Sequence, residues 1–298
     1  MSDTAVTPIR LEKSAHEDKS RSLWQDALFR LTRHRLAMLG LAILIVTVIM
    51  ALFGPNIAAY QPDKMDFKVR FGAPTLQHIF GTDDFGRDTF TRIAYGARVS
   101  LEVGIISVSL AATVGTLLGL IAGYSSRIID ETVMRLMDVL YAFPAVLLAI
   151  AILAALGKGV GNAMIAIGIV YIPIFARITR AEVLSIRNEE FITAARALGA
   201  SDLRILFRHI LPNILSPIIV ETSLSLAFAI LAEASLSFFG LGTQPPDASW
   251  GRMLSEGRNY FRQSAWMGIF PGLAIMFVVM GFNFLGDGLR DALDPHLK

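Results

Sequence analysis

The chain has 298 residues, of which 54% are hydrophobic and 17% are charged, and its formal net charge is +2. Soluble domains carry about 25% charged residues, and the apolar residues here are clumped into long runs, as is typical of a membrane protein. The chain contains no Cys, which excludes disulfides, thiol nucleophiles and Cys-based metal sites, and the small net charge gives no indication of nucleic-acid binding.

Six apolar runs are each long enough to cross a hydrocarbon core of about 30 Å. Five of them contain no charged residue, and the fifth in chain order is interrupted only by Glu221 and Glu233. We therefore predict an all-α integral membrane protein with six transmembrane helices and with both termini on the same side of the membrane. The predicted spans are residues 36–53, 103–124, 139–156, 159–176, 213–240 and 265–286.

The distribution of Lys and Arg predicts which side of the membrane the termini occupy. Of the 27 lysines and arginines, 17 lie in the two terminal tails and in the loops after spans two and four. Because positively charged loops stay in the cytoplasm, we predict that both termini and the loop after span four are cytoplasmic. About 35 mainly polar residues precede the first span, so we expect it to be a retained anchor and not a cleaved signal peptide.

Small residues and prolines mark positions within the spans. Ala111, Gly115, Gly119 and Gly123 recur every four residues along span two, which predicts a close helix-packing face, either within this subunit or against a partner. Four other spans each contain a proline, which removes a backbone hydrogen bond and bends a helix: Pro144, Pro173, Pro217 and Pro271.

A charged segment precedes span two. Asp83, Asp84, Arg87 and Asp88 could hold a cation, but we favour the alternative that they cap and pair around a helix leading into the span. The five histidines are scattered, and the sequence has no His-Glu-x-x-His motif. We therefore predict neither a metal site nor a cofactor.

The segment between spans four and five is charged and rich in alanine, and it predicts two short helices separated by a break. The first is expected at about residues 188–198, because it is rich in strong helix formers. Gly199 lies where a helix would end in a left-handed conformation. Ser201 is a predicted N-cap of the second helix, and Asp202 lies near the positive end of that helix.

The second short helix is predicted to be amphipathic and to run into span five. Pro212 opens that span, where its missing N–H costs little. We expect the apolar face to lie against the membrane surface or the helix bundle, since its members fall at i, i+3, i+4 and i+7: Leu203, Leu206, Phe207 and Ile210.

The whole segment resembles the cytoplasmic coupling loop of ABC importer permeases. That family pattern runs Glu-Ala-Ala, three residues, Gly, nine residues, Ile, one residue, Leu-Pro. Here Thr193 stands where Glu is usual and His209 stands where Ile is usual. The remaining positions match at the family spacing: Ala194, Ala195, Gly199, Leu211 and Pro212.

Further segments narrow the resemblance to the second permease subunit of the dipeptide, oligopeptide and nickel ABC importers. They occur in the family's order, and the resemblance extends from about Arg33 to Pro295. The segments are residues 81–88 (GTDDFGRD), 95–101 (YGARVSL), 235–242 (SLSFFGLG), 244–246 (QPP), 250–251 (WG) and 286–295 (GDGLRDALDP).

This resemblance implies the type I ABC importer permease fold in a bacterial inner membrane. It implies a tail, first span and extracytoplasmic elbow at residues 1–98, and a five-helix core at 99–298 with a coupling loop at about 181–212. It also implies a sister permease as heterodimer partner, two ATPase subunits and an extracytoplasmic substrate-binding protein. The residues implied to couple to the ATPases are Thr193, Ala194, Ala195, Leu198, Gly199, Ala200, Ser201, Leu211 and Pro212.

The predicted function is a non-catalytic permease for di- or oligopeptides. The chain has no Gly-x-x-x-x-Gly-Lys-[Ser/Thr] phosphate loop, so ATP must be hydrolysed on another chain. Nickel complexes or other small solutes are alternative cargoes. An ion-driven secondary transporter is an alternative of another class, for which only Glu221 and Glu233 are candidate ionisable residues. The same two residues are candidates for the pathway or a gate, or for an interhelical hydrogen bond.

Overall fold

The computed structural model describes residues 23–293, with side chains from Leu28 onward. Residues 1–22 of the predicted N-terminal tail and residues 294–298 of the C-terminal tail lie outside these residues. Within them the chain is helical and forms no β-strand. The α-helices in chain order are α1 (Leu23–Arg33), α2 (Arg35–Ile57), α3 (Thr89–Tyr124), α4 (Arg127–Tyr141), α5 (Ala145–Leu156), α6 (Val160–Ile186), α7 (Glu190–Ala197), α8 (Asp202–Arg204), α9 (Leu215–Phe238), α10 (Trp250–Asn259) and α11 (Trp266–Leu293).

Five helical segments in the described residues are long and apolar enough to cross a membrane. They are α2, α3, α6, α11 and the continuous helical segment Asp202–Phe238, which contains α9. These segments coincide with five of the six predicted spans. The bent pair α4 and α5 makes a sixth span if the two helices are taken together.

The span predicted over residues 139–156 is not one continuous helix, although the bend lies at the proline expected to cause one. The chain bends by 93° between α4 and α5, and the break lies inside the predicted span. Pro144 explains the break, because it has no N–H to donate and because it disfavours the helical conformation at Phe143. Helix α5 has 12 residues, about 18 Å, and is therefore too short to cross a hydrocarbon core alone.

Several spanning helices continue past the ends of their apolar runs. Helix α3 begins at Thr89 and has 36 residues. It therefore continues without a break across the division between residues 98 and 99 that the resemblance implied. Helix α6 continues past Ala176 to Ile186. A run defined by the absence of charge ends at the first charged residue, whereas a helix continues wherever propensity and packing allow.

Two apolar clusters form the core, and α3 and α9 contribute to both. The first surrounds the contact of α3 with α6, where Leu120, Phe175 and Val183 are buried. The second joins α2, α10 and α11 to the same two helices around the buried Trp250, whose Nε1 donates to the Ile93 carbonyl at 3.0 Å. The connection between α6 and α9 lies at the end of α3 that carries Tyr124, the last residue of that helix.

Candidate functional site

The connection between α6 and α9 carries the predicted coupling residues. Helix α7 spans Glu190–Ala197, slightly shorter than the predicted 188–198. Gly199 has φ +79°, which confirms the predicted left-handed residue. Its N–H donates to the Arg196 carbonyl at 3.0 Å, and the Ala200 N–H donates to the Ala195 carbonyl at 3.1 Å. This pair of bonds is the Schellman ending of a helix, in which glycine is the preferred residue.

Helix α7 has one buried side chain, and most of its other residues are exposed. Ile192 is buried in the first apolar cluster, to which Ile205 and Ile210 also belong. Leu198, at the turn, is 88% exposed, although it is a large apolar residue. Most of the other predicted residues of α7 and its turn are also exposed, with Ala195 and Ala200 half-buried: Thr193, Ala194, Ala195, Gly199, Ala200 and Ser201. Most of the surface of α7 and its turn is therefore accessible to a partner.

The second short helix differs from the prediction. Ser201 is at the N-cap of α8 as expected, but its side chain makes no capping hydrogen bond. From Ile205 to Ile210 the backbone is a wide π-helical turn, and a 3₁₀ turn, Leu211–Ile214, follows. The predicted Leu211–Pro212 pair thus lies in the 3₁₀ turn, where Leu211 is half-buried and Pro212 is exposed.

The predicted apolar face of that helix is confirmed only in part, since Ile210 is buried and Leu206 is half-buried against the first apolar cluster. Leu203 and Phe207 are exposed, whereas Ile205 and Ile210 are buried. The buried pair is separated by five positions, because a π-helical turn closes its hydrogen bonds between i and i+5 and shifts which residues share a face. The period of 3.6 residues therefore identified Leu206 and Ile210 but missed the buried Ile205.

A tyrosine that the sequence reasoning missed joins this connection to the end of α3. The Tyr124 hydroxyl donates to Asp202 Oδ1 at 2.8 Å and accepts from Arg196 Nη2 at 3.3 Å. Next to it, Arg187 Nη1 donates to the Gly123 carbonyl at 2.9 Å. The only signal in the sequence was the position of a polar aromatic residue at the end of a charge-free run.

The small-residue face of α3 packs within this subunit, which settles the choice left open by the sequence. A Cβ added at Gly115 would lie 2.6 Å from the Ile172 carbonyl oxygen on α6. At Gly119 it would lie 2.5 Å from the Ala176 carbonyl oxygen. Gly123 faces Val183 in the same way, and Ala111 is buried in the same core. The absence of side chains brings the two helix backbones into direct contact.

The two glutamates of α9 have different surroundings. Glu233 is 1% exposed; it accepts from Ser100 Oγ of α3 at 3.3 Å and from Ser237 Oγ at 2.7 Å. Glu233 therefore makes an interhelical hydrogen bond, which is the alternative to a pathway or gate role that the sequence left open. Glu221 is half-buried, and its Oε1 accepts from Ser225 Oγ, within α9, at 2.9 Å.

The opposite end of α3 carries a set of buried and half-buried charged side chains, here named the distal charge cluster: Asp83, Arg87, Arg92, Arg252 and Glu256. Arg87 Nε donates to Asp83 Oδ2 at 2.6 Å, while Arg87 and Arg92 both donate to Glu256 Oε2, at 3.3 and 3.1 Å. Arg252 Nε donates to Glu256 Oε1 at 2.9 Å.

Neighbouring residues complete the arrangement expected around the start of α3. Asp88 is the N-cap of α3, where its side chain accepts from the Thr91 N–H at 2.8 Å, so the predicted capping and pairing are confirmed. Carboxylate oxygens of Asp83, Asp84 and Glu256 lie within 4.8 Å of one another. The adjacent arginines already supply positive charge to this group, so its geometry is that of an ion-pair network.

The comparisons with known proteins agree on the family. The family model described as "Binding-protein-dependent transport system inner membrane component" matches residues 115–298. A second model, "N-terminal TM domain of oligopeptide transport permease C", matches residues 22–74.

Similar curated proteins cover nearly the whole chain. The dipeptide transport system permease protein DppC of Alkalihalophilus pseudofirmus is 50% identical over 277 residues, which is 93% of this chain and 91% of that protein. The glutathione transport system permease protein GsiD of Escherichia coli is 45% identical, over 94% of this chain and 93% of that protein.

Among solved structures, an inward-facing MetNI methionine ABC transporter matches with a TM-score of 0.56 at 18% identity. The match covers 67% of this chain and 94% of that chain, and it shows the type I ABC importer permease fold. The sequence matches and the fold together lead to one conclusion: the chain belongs to the family of binding-protein-dependent transport system inner membrane components, the permease subunits of ABC importers.

Proposed function

We propose that this chain forms half of the translocation pathway of an ATP-driven importer of di- or oligopeptides and couples that pathway to ATPase subunits on other chains. The dipeptide and glutathione relatives support a peptide cargo. The lack of a phosphate loop in the sequence supports ATP hydrolysis on partner chains and a non-catalytic role for this one. Nickel complexes are the alternative cargo within the same architecture.

The observation that carries the proposal is the exposure of α7. A helix with one buried side chain and an 88% exposed leucine at its tip contributes little to the core of this subunit. Its small side chains allow a partner to approach the helix backbone closely, and Gly199 provides the sharp turn that lets it protrude. The residues proposed for contact with the ATPases are Thr193, Ala194, Ala195, Leu198, Gly199, Ala200, Ser201, Leu211 and Pro212.

The proposed mechanism is a rigid-body movement driven by the docked partner. When the ATPase subunits close on ATP, they draw α7 toward its counterpart on the sister permease. The bundle then opens outward and receives the substrate from the extracytoplasmic binding protein. Hydrolysis releases α7, and the bundle opens inward.

The proposed orientation follows from the positive charges of the sequence. Both termini and the α6–α9 connection lie in the cytoplasm, and the distal charge cluster lies on the outer side of a bacterial inner membrane. The ATPases therefore meet α7, and the binding protein meets the loops at the other end of α3. The sister permease completes a heterodimer within the bilayer.

Glu221 and Glu233 are the proposed pathway or gate residues of α9. An ionisable residue in a spanning helix faces the protein interior or an aqueous route and not lipid. The alternative of an ion-driven transporter calls for a connected set of such groups. In the described structure these two carboxylates bond to different serines, Ser225 and Ser237, and not to each other. They therefore do not form a connected set, which favours an ATP-driven importer.

The proposal is tested by variants at the tip of α7 in the purified complex. Leu198→Asp introduces charge on an exposed side chain. Gly199→Asp also introduces charge, and it strains the left-handed turn at φ +79°, although a Cβ there meets no atom within 4 Å. We expect normal membrane insertion but loss of copurified ATPase subunits, of substrate-coupled ATP hydrolysis and of uptake. Leu76→Asp is the matched control for ATPase copurification, since Leu76 is fully exposed at the other end of the molecule. Wild-type uptake by both α7 variants would refute the coupling role.

A further inference from the structure

The end of α3 meets the α6–α9 connection through one side chain. Tyr124 is the last residue of α3. Its hydroxyl contacts Arg196, in the last turn of α7, and Asp202, the first residue of α8. These two partners lie on either side of the turn formed by residues 198–201. One hydroxyl group therefore joins both arms of the turn to a third helix.

The turn does not depend on this contact for its own conformation. Its helix-ending hydrogen bonds are supplied by the backbone of Gly199 and Ala200, and the left-handed conformation is supplied by glycine. The chain also connects α7 covalently to α6 and to α8. Loss of the Tyr124 hydroxyl would therefore leave the turn folded while weakening its attachment to α3.

Helix α3 is well placed to carry movement into the membrane. It packs along α6 with near backbone contact at Gly115, Gly119 and Gly123. It also reaches the distal charge cluster, where the buried Arg92 bonds to Glu256. A displacement of α3 at Tyr124 is thus applied to a helix of 36 residues that contacts both apolar clusters.

We propose that Tyr124 is a positioning residue of the coupling apparatus, whose hydroxyl links α7 and α8 to α3 so that movement of α7 displaces α3. This proposal rests on the proposed function, since it needs α7 to be moved by a partner. The link is a hydrogen bond from a neutral hydroxyl to a charged carboxylate, stronger than a neutral pair but here exposed to solvent. Its loss should lower coupling without abolishing it.

The experiment uses the complete importer in proteoliposomes, with the loaded binding protein, and measures peptide taken up per ATP hydrolysed. For Tyr124→Phe we expect this ratio to fall roughly threefold to tenfold, as fits the loss of one such hydrogen bond. Asp202→Asn should lower the ratio less than Asp202→Ala, because its amide oxygen still accepts the bond without the charge. Asp202→Ala should lower the ratio by at most as much as Tyr124→Phe, because the Arg196 bond to the hydroxyl remains. Tyr141→Phe is the matched control: Tyr141 packs under Arg177 but its hydroxyl makes no hydrogen bond within residues 28–293.

The double variant Tyr124→Phe/Asp202→Ala separates a direct link from two independent effects. If Asp202 acts through the hydroxyl, the double variant is no worse than Tyr124→Phe alone, since that variant already lacks the bonds to both Asp202 and Arg196. Additive losses, or a Tyr124→Phe ratio equal to wild type while Leu198→Asp abolishes uptake, would overturn the positioning role and leave the proposed function standing. If Leu198→Asp and Gly199→Asp also transport normally, the proposed function itself falls.

Discussion

Replacing Gly119 by alanine probes the contact on which the rigidity of the α3–α6 pair depends. The new Cβ would lie 2.5 Å from the Ala176 carbonyl oxygen, 2.6 Å from Thr179 Cβ and 3.0 Å from the Arg180 backbone nitrogen. Two of these three neighbours are backbone atoms and cannot rotate away. Relief therefore requires the two helices to move apart by nearly 1 Å, because ordinary contacts begin at 3.4 Å.

The size of the effect follows from overpacking. Forcing one extra carbon into a well-packed interface costs about 1–3 kcal/mol. Alanine recovers up to about 1 kcal/mol of helix propensity relative to glycine. We therefore expect a net loss of about 1–2 kcal/mol, together with separation of α3 from α6 along the face that ends at Gly123.

Thermal unfolding of the purified complex in detergent, followed with peptide uptake, measures this effect. Gly161→Ala is the matched control, because Gly161 lies in α6 and a Cβ there meets no atom within 4 Å. We expect Gly119→Ala to lower the unfolding temperature relative to that control and to reduce uptake. Equal unfolding temperatures for the two variants would refute the assigned contact.

Two further predictions concern the distal charge cluster and the neighbouring Asp84. Glu256→Ala removes the acceptor shared by the buried Arg87 and Arg92, so it should cost about 3–5 kcal/mol of stability. Glu256→Gln should cost less, because its amide oxygen can still accept. Equal losses of the two variants in thermal unfolding would contradict the pairing. Burial, followed by the charge of Asp83, raises the pKa of Asp84 above its ordinary 3.8. The folded state then keeps this proton longer than the unfolded state, so stability should fall as the pH rises from 3.8 through the raised pKa. Asp84→Asn should remove that part of the pH dependence, and parallel pH profiles of variant and wild type would contradict it.

Much of the architecture follows from local patterns in the sequence. Long apolar runs predict spanning helices because lipid cannot satisfy an unpaired backbone, and the runs correspond to α2, α3, α6, α9 and α11. Gly199 was also predictable, since the ending of a helix in a left-handed residue is a local property. The same holds for Asp88, whose capping role depends on residues three positions away.

Features that depend on tertiary packing were not predictable in the same way. Pro144 indicated a bend, but the 93° angle between α4 and α5 depends on what the two helices contact. The π-helical turn at residues 205–210 changes the period on which the amphipathic prediction relied. Glu256 and Arg92 are 164 positions apart, and Tyr124 and Asp202 are 78 apart, so no local pattern joins them.

The central claim, that α7 is where this permease meets its motor, is tested most directly by crosslinking from its tip. The chain has no Cys, so Leu198→Cys places a single thiol on an 88% exposed position. In the purified complex, a thiol- and amine-reactive crosslinker at residue 198 should join this chain to an ATPase subunit, while Leu76→Cys should not. Crosslinking at residue 76 but not at 198, or labelling of residue 198 from outside intact cells by a membrane-impermeant thiol reagent, would contradict the account.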